Sequence, residues 1–190
     1  MPAALLSRED AITRIAEVFR EHGFAGASLS AITEATGLGK GSLYNHFPGG
    51  KDQMGEAVLA HIDGWFEAQV YAPLRESADP RAAIAAMFAA VETYFRSGRR
   101  ICLVGAFALD ATRDRFASRV QDYFIRWIDA LAVALEQGGA PDAGAHAHIL
   151  AESTVAGIQG ALILSRALND PTVFGRQMQE MRARLNAVLA

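Results

Sequence analysis

Apolar residues recur three and four positions apart almost throughout this chain, the spacing of one helical face, and β-branched residues seldom alternate with polar ones. Nine helices are predicted. The first opens with the S-x-x-D pair Ser7 and Asp10, turns Ile12, Ile15, Ala16 and Phe19 inward and stops at Gly23. Two short helices follow, over about residues 30–36 and 40–47, with Gly37 at their corner and Pro48, Gly49 and Gly50 closing the second. A long fourth helix keeps Met54, Val58, Ile62, Trp65, Phe66, Gln69 and Val70 on one mostly apolar face until Pro73. The fifth starts at Asp79 and Pro80, carries Ile84, Met87, Phe88, Val91 and Phe95, and stops at Gly98. A short sixth covers about residues 102–110.

Phe116, Val120, Phe124, Trp127, Ile128, Leu131 and Leu135 mark a seventh helix, closed by Gly138, Gly139 and Pro141. The eighth spans about residues 145–168, and the ninth starts at Asp170 and Pro171 and carries Phe174, Met178, Met181, Leu185 and Val188. Ile149, Leu150, Val155, Ile158, Leu162, Ile163 and Leu164 make the eighth apolar nearly all round, so it is covered on several sides. Gly157, Gly160 and Ala161 form a small-residue strip on it. Either this is a central helix of one chain, or the strip, with Leu164, Met178 and Met181, is a two-fold dimer seam, the reading we favour.

The fold class is therefore all-α. With 51% hydrophobic and 21% charged residues, the chain is too apolar to be disordered, and no uncharged run is long enough to cross a bilayer, so no membrane partner is expected. Met1 to Ser7 lack the basic and apolar character of an export signal, which points to a cytoplasmic location. The single cysteine, Cys102, cannot form an intrachain disulfide; between Ile101 and Leu103 it reads as a buried apolar residue, with a redox-sensing thiol near Arg99 and Arg100 as the lesser alternative.

Enzyme motifs are missing. Gly37 to Ser42 are glycine-rich, but Glu34 stands in the first glycine slot of a phosphate loop and Gly41 follows Lys40. There is no G-x-S-x-G elbow, and His146 and His148, two apart on a helix, diverge too far to hold a metal together. No catalytic residue, metal or cofactor is expected.

Net charge is −3 with a pI near 5.9, which by itself disfavours a nucleic-acid partner. Local charge differs: from Thr36 to Lys51 there are two lysines, one histidine and no acid. In that stretch Ile32, Leu38 and Leu43 are placed to pack two short helices across the Gly37 corner, as in a helix-turn-helix whose second helix enters the major groove. The outward residues are Lys40, Gly41, Ser42, Tyr44, Asn45 and His46.

Gly37, Lys40, Gly41, Ser42, Leu43, Tyr44, His46, Phe47 and Lys51 resemble the pattern of the TetR family closely, over roughly residues 11–57. Pro48, Gly49 and Gly50 are similar to the LmrA/YxaF-like branch, while Thr33 departs from the alanine common between the two helices. The resemblance implies a two-domain homodimer, with a three-helix DNA-binding head over residues 1–52 and an effector-binding and dimerisation body over 53–190. It implies that Ser42, Tyr44 and His46 touch DNA, with Ser28, Lys40 and Gly41 on the same surface, and that Lys51 reaches a phosphate beside helix N-terminal amides. Asn45, at the variable position, is the candidate for reading sequence.

In such a regulator a small effector in the body changes the spacing of two recognition helices, which must lie about 34 Å apart, and releases operator DNA. The expected lining is His61, Trp65, Phe66, Gln69, Phe88, Tyr94, Phe107, Trp127 and Gln159, which suits a neutral, mostly apolar molecule. Set against this, aromatic residues at helical spacing also fill cores. The function expected is a repressor; the alternatives are an activator of the same type, or a helical ligand-binding or scaffold protein that does not bind DNA.

Overall fold

Side-chain caps set where the helices begin. In the computed structural model, which describes residues 6–111, 113–139 and 145–189, the Ser7 hydroxyl accepts the Asp10 N–H at 3.0 Å and starts α1 (Arg8–Gly26). Ser28 does the same for Ala31 at α2 (Leu29–Thr36), and Asp79 for Ala82 at α5 (Pro80–Tyr94), with Pro80 in its first turn. Between them lie α3 (Lys40–His46) and α4 (Gly50–Phe66). After α5 come α6 (Leu103–Leu109), a 3-10 turn (Arg113–Phe116), α7 (Ala117–Gln137), α8 (Ala145–Ala167) and α9 (Thr172–Val188). The nine predicted helices are present, and there is no strand among the described residues.

Two boundaries differ from expectation. Gly23 kinks α1 with φ of 70° instead of ending it, and the helix resumes as far as Gly26. The α4 helix runs on through a π-helical turn (Glu67–Tyr71) into a last segment (Ala72–Glu76), so Pro73 lies within the rod. The widened turn sits just before this proline, whose ring has no N–H to give and crowds the preceding turn. The α7 helix ends at Gln137, just before Gly138, as expected; Pro141 lies outside the described residues.

The chain forms two compact units, which divide differently from the expected boundary at residue 52: Met1–Asp63 with Leu103–Val120, and Gly64–Cys102 with Gln121–Ala190. The physical reason lies in the first unit's core. Phe107 of α6 and Phe116 of the 3-10 turn stack with Phe24 of α1 at ring separations of 5.4 and 5.0 Å, and Phe19 joins them. Two ion pairs run beside this cluster, Arg115 to Asp52 at 2.6 Å and Arg119 to Glu56 at 3.1 Å.

In the second unit Phe66 is the centre of an aromatic core. Its ring lies 5.0 Å from Tyr94, 4.8 Å from Tyr123 and 5.2 Å from both Trp65 and Trp127. Tyr71 donates its hydroxyl hydrogen to the Tyr123 carbonyl at 3.0 Å. Behind α5, Arg96, Ser97 and Gly98 all take positive φ, and a Cβ on Gly98 would lie 2.6 Å from Cβ of Phe174, so only glycine lets α9 close in here.

By length and composition α8 could cross a membrane. In the fold its residues Leu150, Thr154, Ile158 and Ala161 are buried, and it packs along α9.

Candidate nucleic-acid interface

The corner between α2 and α3 is built from backbone geometry first. Gly37 takes φ 71° and ψ 8°, a left-handed conformation that favours glycine, and donates its N–H to the Thr33 carbonyl at 2.9 Å. Thr36 then ties the corner: its hydroxyl donates to the Ile32 carbonyl at 2.7 Å and accepts the Leu38 N–H at 3.3 Å. The departure at Thr33 is absorbed locally, because its hydroxyl donates back to the Ser30 carbonyl at 2.8 Å.

Burial separates the two sides of α3. Ile32, Leu43 and Phe47 are fully buried and Leu38 nearly so, as the pattern predicts. Lys40, Gly41, Ser42, Tyr44 and Asn45 are exposed, Tyr44 with 43% of its surface free, and His46 is half-buried. An exposed tyrosine on a seven-residue helix contributes little to folding and is available to a partner. A side chain at Gly41 would meet nothing within 4 Å. Ser28 is exposed, and its hydroxyl is the N-cap of α2.

The basic side chains of the first unit fall into two groups, a division the sequence pattern did not reveal. Lys51 turns onto the end of α1, where its Nζ donates to the carbonyls of Ala25 at 3.1 Å and Ala27 at 3.2 Å and stands 4.9 Å from the Phe24 ring centre. Arg14 makes longer bonds, at 3.4 Å, to the carbonyls of Ala35 and Thr36 at the end of α2. Arg8 stacks over Phe47 at 5.1 Å. On the α3 surface itself Lys40 is exposed.

Comparisons with known proteins match the segment that carries this surface. Residues 12–58 match the family model described as bacterial regulatory proteins, tetR family, and residues 80–180 match that of the transcriptional regulator LmrA/YxaF-like C-terminal domain. The chain belongs to the TetR family of transcriptional regulators.

Relatives of this TetR-family protein include the HTH-type transcriptional regulator LmrA of Bacillus subtilis, 26% identical over 87% of this chain and 89% of that one. The HTH-type transcriptional repressor DhaR of a Mycobacterium species is 27% identical, over 82% of this chain and 80% of its own. Among solved structures, a TetR transcriptional regulator from Legionella pneumophila superposes with a TM-score of 0.80 at 22% identity, covering 99% of this chain and 100% of that one. The fold is thus the TetR fold, and the protein is a DNA-binding helix-turn-helix regulator, not an enzyme.

The expected effector residues do not all gather in one place. Trp65, Phe66, Tyr94 and Trp127 meet in the aromatic core of the second unit, with Trp65 and Tyr94 rings 4.5 Å apart. Phe107 belongs instead to the first unit's cluster, because Phe24 and Phe116 enclose its ring. His61 and Gln69 are exposed, and Phe88 is buried beneath the Arg182 guanidinium at 5.5 Å. Gln159 is half-buried on α8, yet its Nε2 is buried without a hydrogen-bond partner, as is Nε1 of the fully buried Trp127.

The expected seam residues divide in the same way. Ala161 and Met178 are buried within the chain, and Met181 fills the space over Gly157, where a Cβ would lie 2.6 Å from its Sδ. These four serve the packing of α8 on α9 inside one chain. Gly160, with nothing within 4 Å of its Cβ position, and Leu164 face outward, alongside exposed Ile149, Ile163 and Leu168.

Cys102 is buried. Burial, and then the Cys102 side chain beside it, push the Tyr123 phenol well up, so this hydroxyl keeps its proton.

Proposed function

We propose that this protein is a repressor that holds operator DNA as a cytoplasmic homodimer and releases it when a small, neutral, mostly apolar molecule binds the second unit. The observation that carries the reading is the two-sidedness of α3: Leu43 and Phe47 anchor it fully buried, while Lys40, Ser42, Tyr44 and Asn45 are left exposed. Ser42, Tyr44 and His46 then take backbone contacts, Ser28 and Gly41 border them, and Asn45 reads a base. The repressor assignment follows the function named for the relative DhaR. A homodimer is supported by the outward apolar row of Ile149, Gly160, Ile163, Leu164 and Leu168 on one helix.

The effector reading draws on polar atoms that are buried without partners. Trp127 Nε1 and Gln159 Nε2 both carry hydrogens that no acceptor takes, and leaving such a donor unpaired costs about 1–3 kcal/mol. A ligand bearing an acceptor oxygen on an apolar frame recovers that cost among the rings of Trp65, Phe66 and Tyr94.

A gel-shift titration on the DNA upstream of its own coding sequence, followed by a reporter driven by that DNA, tests the reading. A specific shift together with higher reporter output on deletion of the gene is expected. Lower output on deletion identifies an activator, and no preference for that DNA over a scrambled fragment contradicts an operator there.

A further inference from the structure

With α3 taken as the reading helix, we infer that Arg8, at the start of α1, is a further phosphate-binding residue of the DNA interface, held beside the end of α3 by the ring of Phe47. Four other arginines of the first unit already face a carboxylate: Arg20 is paired with Glu17 and Arg113 with Asp114, both at 2.8 Å, Arg115 with Asp52 and Arg119 with Glu56. Each of these surrenders an ion pair before it can hold a phosphate. Arg8 has none to surrender. Among the described residues its exposed side chain makes no hydrogen bond or ion pair, and what holds its guanidinium is the face of Phe47, 5.1 Å from the ring centre. The next acids along the chain leave it so: Asp10 accepts from the Ser7 hydroxyl at 2.7 Å, and Glu9 forms no ion pair with it.

Stacking of this kind uses the flat face of a guanidinium and leaves its edge, with five N–H donors in one plane, to the solvent. That edge fits two oxygens of one phosphate at once. Phe47 is fully buried and is the C-cap of α3, so a cation resting on it is fixed relative to the reading helix, next to His46, whose ring centre lies 6.3 Å from that of Phe47. At the opposite end of α3 stands Lys40, exposed and likewise without a polar partner among the described residues. Seven residues of helix span about 10 Å, and the phosphate-lined walls of the major groove stand about 12 Å apart. A helix seated there carries one unengaged cation toward each wall.

A guanidinium that only covers Phe47, or only offsets the negative end of α3, leaves a different signature. Losing a phosphate contact weakens binding to all DNA alike and reduces the slope of log affinity against log salt by about 0.9. Losing a packing contact lowers the folded or correctly posed fraction and leaves the count of phosphates unchanged.

The test uses the full-length protein with Arg8→Met, Arg8→Lys and, as a control for net charge, Arg113→Met. Each is titrated against the upstream DNA and against poly(dI-dC), over about 50 to 200 mM salt. The wild type is measured first: no preference for the upstream DNA removes an operator there and leaves the slope on poly(dI-dC) to test Arg8, whereas binding to neither DNA overturns both readings. Arg8→Met is expected to lose about eightfold on both DNAs at about 100 mM salt, with a slope flatter by about 0.9. Arg8→Lys keeps the charge and should restore the slope while binding about two- to threefold more weakly than wild type, because an ammonium lacks the stacked, two-pronged edge. Arg113→Met should keep the wild-type slope. A slope unchanged in Arg8→Met, a loss confined to the upstream DNA, a slope in Arg8→Lys as flat as in Arg8→Met, or an equal flattening in Arg113→Met overturns the inference.

Discussion

A Cβ placed on Gly55 would lie 2.7 Å from Cζ of Phe116, so α4 passes this ring at a distance only a glycine allows. Phe116 cannot swing aside freely, since it is buried against Phe24 and Phe107. Gly55→Ala gains helix propensity, about 1 kcal/mol, but forces a repacking that typically costs about 1–3 kcal/mol. A net loss of about 1 kcal/mol is expected, read as a lower midpoint in urea unfolding. A variant as stable as the parent would mean that the aromatic cluster yields easily.

Asn45→Ala should change which operator is preferred. A bidentate contact from an amide to adenine is worth about 1–3 kcal/mol of discrimination, and Asn45 is exposed, so stability should not move. Binding to a library of single-base variants of the upstream DNA measures this. A uniform drop across the library would place Asn45 on the backbone.

The acid side of the stability profile should report on Glu67. Burial alone pushes its carboxyl up, but hydrogen bonds from Arg75, at 2.5 Å, and from Arg126, with the charges of both, hold it below its ordinary value of 4.5. A carboxyl lowered in the fold contributes stability that is present above the ordinary value and lost as pH falls through the lowered one. The gap in melting temperature between the wild type and Glu67→Gln should be constant near neutrality and close below pH 4.5. A gap that persists at about pH 3 removes the carboxylate as its source.

Leu164→Glu tests the homodimer. Leu164 is 48% exposed, so a charge there is solvated in a single chain and costs little. Buried in a two-fold seam it would meet its own copy across the axis. Sedimentation should show monomers with undiminished helicity, and weaker DNA binding should accompany them. A dimer that survives the change places the seam elsewhere.

The helices were legible because each carries its own apolar spacing and, at Ser7 and Asp79, its own cap. The α2–α3 corner was legible for a related reason: Gly37 and the buried Ile32, Leu38 and Leu43 lie close together in the chain. What stayed hidden depends on partners far away in sequence. Phe107 reads as apolar whichever core receives it, so nothing local assigned α6 to the first unit. Lys51 finds its carbonyls 24 and 26 residues back, and a lysine near a basic patch looks the same whether its bond goes to protein or to phosphate. Gly157 and Gly160 are equally small, yet one lies under Met181 of its own chain and the other is open.

The π-helical turn at Glu67–Tyr71 explains how α4 keeps a single apolar line over so many residues. Met54, Val58, Ile62 and Phe66 are spaced by four, and every such step overshoots a 3.6-residue turn by about 40°, so the line drifts around the helix. A wider turn with bonds from i to i+5 swings it back before Val70 and Leu74. The rod is therefore sensitive to residue count as well as residue type. Removing exposed Ala68 alone would restore an ordinary spiral and aim Tyr71 away from the Tyr123 carbonyl, a fault that no change of side chain at the same position could imitate.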